Sequence, residues 1–250
     1  MVESIVLLHG FAGSHRAFDR IVGMLAPKRY LPLALDLPGH GRSRATRPVA
    51  FADCVEFVLD NSPEHFTLCG YSMGGRIALQ LALDAPQRVR RLVLVSSTAG
   101  IEEPSGRRAR VAADARLAAR LEQDSYEQFI DDWRSQLLFA GDPPEVDSQA
   151  RAEYRHNDPS ALAEVLRGAG TGTMPSLWHR LQEVAMPVSV LVGTRDRKFQ
   201  EIGRRMAQAL PSGELITLDG GHNLLLENPE GVAEALMKDQ RPPSDAVCRR

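Results

Sequence analysis

The sequence predicts an α/β protein built on a doubly wound, mostly parallel sheet of six or seven strands. Three observations carry that expectation. Six short apolar runs are nearly continuous in hydrophobicity, as strands covered on both faces must be. Amphipathic stretches at helical spacing alternate with them, and one long stretch, 100–182, breaks the alternation with helical pattern alone. At 250 residues, 43% hydrophobic and 25% charged, the chain can bury a large core without disulfides or metal.

The elements follow in chain order. Residues 4–8 read as the first strand, 15–25 as a helix, 31–35 as the second strand and 52–59 as the second helix. A third strand at 66–69, a helix at 74–83 and a fourth strand at 92–96 continue the pattern. Beyond the Ala-, Leu-, Arg- and Glu-rich stretch, strands at 188–192 and 215–218 alternate with helices at 201–210 and 230–237. The stretch itself reads as a helical cap inserted after the fourth strand, over the carboxyl edge where doubly wound sheets bind ligands. Glycines within 168–172 and Pro175 suggest a turn that descends toward that edge. The expected organisation is a core of residues 1–99 and 183–239, a cap of 100–182 and a disordered tail of 240–250, marked by Pro242-Pro243 and its charges.

Composition narrows the function. A formal net charge of −2 offers no electrostatic reason to bind nucleic acid or an anionic membrane. No apolar run approaches the roughly 20 residues that cross a bilayer, and no leader pattern of basic, apolar and small residues is seen. The expectation is a cytoplasmic protein, monomeric or weakly homo-oligomeric, whose partner is a small molecule. Cys54, Cys69 and Cys248 are odd in number and widely spaced, without a Cys-x-x-Cys pair. Neither metal nor cofactor is expected.

The strongest motif is Gly70-Tyr71-Ser72-Met73-Gly74, a G-x-S-x-G sequence directly after a strand and directly before a helix. Reversing a strand sharply into a helix strains the central residue, so the flanking positions must be glycine and the serine hydroxyl stands exposed. A serine is a weak nucleophile until an imidazole takes its proton, and that imidazole needs a carboxylate to fix its tautomer. Asp196, in the loop after the strand at 188–192, and His222, after the strand at 215–218, supply both in the order of the α/β-hydrolase fold. Asp219 and Glu227 are the rival acids; the first reads as a turn former, the second as a residue capping or preceding the last helix. His15, His65, His156 and His179 lie in helical or loop contexts suited to surface or packing roles, and His40 looks structural. His9-Gly10-Phe11 follows the first strand, where backbone amides of Phe11 and Met73 would form an oxyanion hole.

Further residues carry a closer resemblance. Gly74-Gly75-Arg76, the run Arg197-Lys198-Phe199 after Asp196, Asn223 after His222, and Glu227-Asn228-Pro229 are among them. With Tyr154-Arg155-His156-Asn157 and Gly170-Thr171-Gly172 in the cap, the chain from His9 to about Val232 resembles the menaquinone-pathway family of 2-succinyl-6-hydroxy-2,4-cyclohexadiene-1-carboxylate synthases. That resemblance implies a lyase in which the Ser72 oxyanion takes a ring proton and pyruvate is eliminated without an acyl-enzyme. It further implies an anionic substrate with several carboxylates, a clamp of Arg76, Arg110 and Arg155, and a pocket lined by Tyr71 and Trp133. Guanidinium groups suit carboxylates because they pair with them two-pronged. The chain begins almost at the strand leading to His9-Gly10, so the first two strands common in the wider fold are expected to be missing. Two other functions share the residues: a serine hydrolase of small carboxylic esters or carbon–carbon bonds, and a non-enzymatic ligand receptor or partner-binding module.

Overall fold

A computed structural model describes residues 2–238; the tail expected at 240–250 lies outside the described residues. Six strands form one sheet: β1 (Glu3–Leu8), β2 (Tyr30–Leu35), β3 (Phe66–Tyr71), β4 (Val89–Val95), β5 (Val188–Gly193) and β6 (Gly213–Leu218). They lie in the order β2-β1-β3-β4-β5-β6, every neighbour pair parallel. Each expected strand is present. All six extend past their expected ranges at one end, because parallel pairing continues through residues outside the apolar runs. Gly70 pairs with Leu94, Gly193 with Leu218, and Arg91 with Thr67.

The helices are α1 (Asp19–Met24), α2 (Phe51–Asp60), α3 (Met73–Asp84), α4 (Pro104–Gln123), α5 (Tyr126–Arg134), α6 (Pro144–Tyr154), α7 (Pro159–Ala169), α8 (Arg197–Ala209), α9 (Leu224–Glu227) and α10 (Pro229–Met237). Period-two alternation explains the continuous hydrophobicity of the strands. Ile5, Leu7, Cys69 and Val93 face α1 and α10 through Ile21, Val232 and Leu236. Val6, Leu8, Leu68 and Leu92 face α2, α3 and α8 through Val58, Ile77 and Met206.

Between β4 and β5 the chain is helical, and α4 to α7 bury a small core of their own. Ala118, Phe129, Ile130, Leu162 and Leu166 form it, joined by Ala12 and Phe11 from the loop after β1. Prolines occupy the first turns of α4, α6 and α7, where a missing N–H costs nothing, and Ser125 and Asp158 cap α5 and α7. This segment therefore closes over the carboxyl edge of β1, near the start of the site. Among the described residues no helix is long and apolar enough to cross a membrane.

Arg91 ties the last helix to the sheet. Its buried guanidinium donates to the carbonyls of Leu236 and Lys238 at 3.1 Å each and to Ser189 Oγ at 3.1 Å. These are carbonyls that the end of α10 leaves without helical partners. Arg91→Met should strand them and lower stability by about 2–3 kcal/mol. A urea titration should show an earlier midpoint with an unchanged slope.

Candidate active site

Ser72 occupies the turn between β3 and α3 with φ 49° and ψ −105°, a backbone region that L-residues rarely adopt. Its neighbours force the geometry. A Cβ on Gly70 would lie 2.3 Å from the carbonyl oxygen of Gly74, and one on Gly74 would lie 2.3 Å from that of Leu8. Both motif glycines are therefore steric requirements of a strand and helix that pass within backbone contact. The Ser72 amide donates to Val95 O at 2.9 Å and the Gly74 amide to His9 O at 3.1 Å, tying the turn to β4 and to the loop after β1.

Three side chains meet at this edge. His222 places Nδ1 2.7 Å from Asp196 Oδ2 and Nε2 3.3 Å from Ser72 Oγ. The carboxylate accepts at Nδ1, so the ring proton sits there and the Nε2 lone pair faces the serine. The other oxygen of Asp196 accepts from the Phe199 amide at 3.2 Å, capping α8. One carboxylate thus fixes both a helix and an imidazole. The loops that carry Asp196 and His222 approach so closely that a Cβ on Gly193 would lie 2.1 Å from Gly221 O.

The rival residues do other things. Asp219 is exposed and accepts from Thr194 Oγ1 at 3.1 Å. Glu227 accepts from the Gly221 amide at 2.9 Å and pairs with Arg195, so it secures the loop before His222 from within α9. Burial raises its pKa. His9 and His40 are fully buried and meet edge to face at 4.8 Å; burial lowers them to about 4 and about 3, so both are neutral. His9 accepts from the Leu37 amide at 3.0 Å and shapes the turn that presents Phe11.

Ser72, Phe11, Met73 and His222 open onto a cavity of about 1490 Å³ between the sheet edge and the helical segment. Tyr71, Arg76, Arg110 and Trp133 line it as well. Arg76 is buried and donates to Ala169 O at 3.1 Å; among the described residues no carboxylate pairs with it. Burial lowers its pKa to about 10, so it remains charged at neutral pH. Arg110 reaches the cavity but is held by Asp114 at 2.8 Å.

Arg155 corrects the expected clamp. It lies outside the cavity wall, with Nε and Nη2 each 2.7 Å from the two carboxylate oxygens of Glu127. The helix turn that buries Tyr154 points the next residue outward. His156, expected in a surface or packing role, is exposed; it also lines the cavity and receives Arg16 Nη1 at 2.9 Å on Nε2. Sequence reasoning also passed over the rings of Phe199 and Phe139, whose centroids lie 4.6 and 6.1 Å from that of His222. Phe199 stands in the motif after Asp196 and could have been found there; Phe139 comes from the turn between α5 and α6, with no such signal.

Comparison with known proteins points the same way as this geometry. Residues 3–229 match the family described as alpha/beta hydrolase fold. A Bacillus subtilis protein provisionally named 2-succinyl-6-hydroxy-2,4-cyclohexadiene-1-carboxylate synthase is 34% identical over 240 residues, 91% of this chain and 86% of the relative. The synthase of that name from Serratia proteamaculans is 32% identical, over 93% of this chain and 91% of its own length. The solved structure of MenH from S. aureus superposes with a TM-score of 0.88 at 31% identity, covering 94% of this chain and 92% of the other.

Asp196→Asn keeps the cap of α8 but removes the negative charge that holds the His222 tautomer. Labelling of Ser72 by a fluorophosphonate should slow by at least about 100-fold while the unfolding midpoint stays close to that of the parent. Labelling at the parent rate would separate Asp196 from the serine.

Proposed function

We propose that this chain, which belongs to the α/β-hydrolase fold family and within it to the 2-succinyl-6-hydroxy-2,4-cyclohexadiene-1-carboxylate synthases, eliminates pyruvate from 2-succinyl-5-enolpyruvyl-6-hydroxy-3-cyclohexene-1-carboxylate in menaquinone biosynthesis. The observation that carries the reading is a linked Ser72–His222–Asp196 chain opening onto the same cavity as a buried Arg76 that, among the described residues, no carboxylate pairs with.

The chemistry needs a base for one ring C–H. The hydrogen at ring carbon 2 is acidified by the ketone of the succinyl group. His222 takes the Ser72 proton, and the Ser72 oxygen then removes that hydrogen. The electron pair forms the double bond between carbons 2 and 3, the existing double bond moves to carbons 4 and 5, and the bond from carbon 5 to the enolpyruvyl oxygen breaks. The imidazolium returns its proton to the departing enolate, which becomes pyruvate, and serine and histidine end as they began. In this reading the backbone amides of Phe11 and Met73, residues that line the cavity, hold the ketone oxygen as it gains charge.

Arg76 holds a substrate carboxylate, with Tyr71 and Trp133 shaping the wall and Arg110 contributing charge beyond what Asp114 neutralises. Residues 100–182 act as the cap that keeps water from the enolate. We place the protein in the cytoplasm, as a monomer or weak homo-oligomer acting on a small anionic substrate.

Pyruvate release from freshly generated substrate, followed through a lactate dehydrogenase couple, tests this directly. The parent should release it far above the spontaneous rate, and Ser72→Ala should return the rate to that background with its unfolding midpoint preserved. Substantial residual turnover in the variant would assign the proton abstraction to another base.

A further inference from the structure

The substrate proposed above carries three carboxylates, and the cations of the cavity wall differ in whether the protein already neutralises them. Arg20 pairs with Glu230, Arg110 with Asp114, and Arg195 with Glu227 and Asp219. Arg16 spends a donor on His156. Arg76 has no carboxylate partner among the described residues, and neither do Arg197 and Lys198 in the first turn of α8; of that pair, Lys198 is the one set against the Phe199 ring.

Lys198 lines the cavity from the first turn of α8, two residues after Asp196. The acids nearest in its own helix are occupied. Asp196 serves His222 and the Phe199 amide, and Glu201 pairs with Arg204. The Lys198 ammonium lies 5.6 Å from the centroid of the Phe199 ring, and that ring lies 4.6 Å from the His222 ring. An aromatic face attracts a cation without discharging it. The result is a positive charge anchored through one ring to the imidazole of the site, facing the cavity with no internal acid to satisfy it.

We infer that Lys198 determines specificity by binding one carboxylate of the substrate while Arg76 binds another. The inference rests on the elimination reading given above and deepens it. Two cations on separate elements, α3 and α8, select for a ligand with carboxylates far enough apart to reach both; a monocarboxylic ester could engage only one. A lysine that merely solvates the surface of α8 would leave substrate affinity untouched.

The test compares the parent with Lys198→Gln and Lys198→Arg in the pyruvate-release assay. Removing one charge-assisted hydrogen bond from the complex corresponds to a change of about 10- to 100-fold in affinity. Lys198→Gln should raise KM by at least about tenfold with kcat held within about threefold, and its KM should respond less to added salt. Lys198→Arg, which keeps the charge, should recover most of the affinity. A KM for Lys198→Gln within about twofold of the parent overturns the inference. So does a fall in kcat at constant KM, which would place the effect on the Asp196–His222 pair. Absence of serine-dependent pyruvate release by the parent would instead refute the elimination reading, and this inference with it.

Discussion

The catalytic edge depends on one constraint: the backbone of Ser72 must hold a left-handed conformation between two close backbone contacts. A non-glycine residue there costs about 1–3 kcal/mol, which the surrounding structure must offset. The offset comes from the centre of the sheet. β3 is flanked by β1 and β4, its first five residues are buried, and α3 packs the apolar face of Ile77 and Leu81 against it. Because strand and helix are fixed independently by burial, the turn between them has no freedom to relax. The hydroxyl is thereby presented to His222 before any substrate arrives.

A second arrangement builds on the first. Asp196 and His222 come from neighbouring strand ends, β5 and β6, whose loops touch at Gly193 and Gly221. Glu227, Arg195 and Thr194 bind those loops together, so the acid and imidazole are braced without using their own reactive atoms. The helical segment between β4 and β5 neutralises most of its own cations: Arg134 with Asp142 and Asp147, Arg151 with Asp147, Arg167 with Glu122. The unneutralised cations of the cavity wall accordingly stand on α3 and α8 and not in this arginine-rich segment, whose Arg110 is held by Asp114. Positive potential survives only where internal pairing fails.

What the sequence revealed follows the locality of the physics. Strands buried on both faces, glycines forced by a 2.3 Å approach, and an acid and histidine at strand ends leave signatures within a few residues. All six strands and the three residues now in contact were readable for that reason. The segment between β4 and β5 was readable as helical but not in the rotation of its helices. Arg107, Arg108 and Arg110 differ only in which way a polar helix faces, and only Arg110 lines the cavity. Arg155 and His156 are adjacent, yet one pairs with Glu127 outside the wall and the other meets Arg16, 140 residues earlier in the chain. Such partners are set by packing across the fold, beyond the reach of local pattern. The end of β3 was obscured for the opposite reason, since Gly70 reads as a breaker although the sheet needs it.

The same serine, histidine and aspartate would suit ester hydrolysis, so the fate of solvent oxygen separates the two chemistries most directly. Turnover in water enriched in oxygen-18, with the ring product analysed by mass spectrometry, measures it. Elimination predicts a ring product that has lost the elements of pyruvic acid and carries no solvent label. A ring product that keeps its carbon-5 oxygen as an unlabelled hydroxyl, as hydrolysis of the enol ether would leave it, or solvent-labelled succinate released through an acyl group on Ser72, would contradict it.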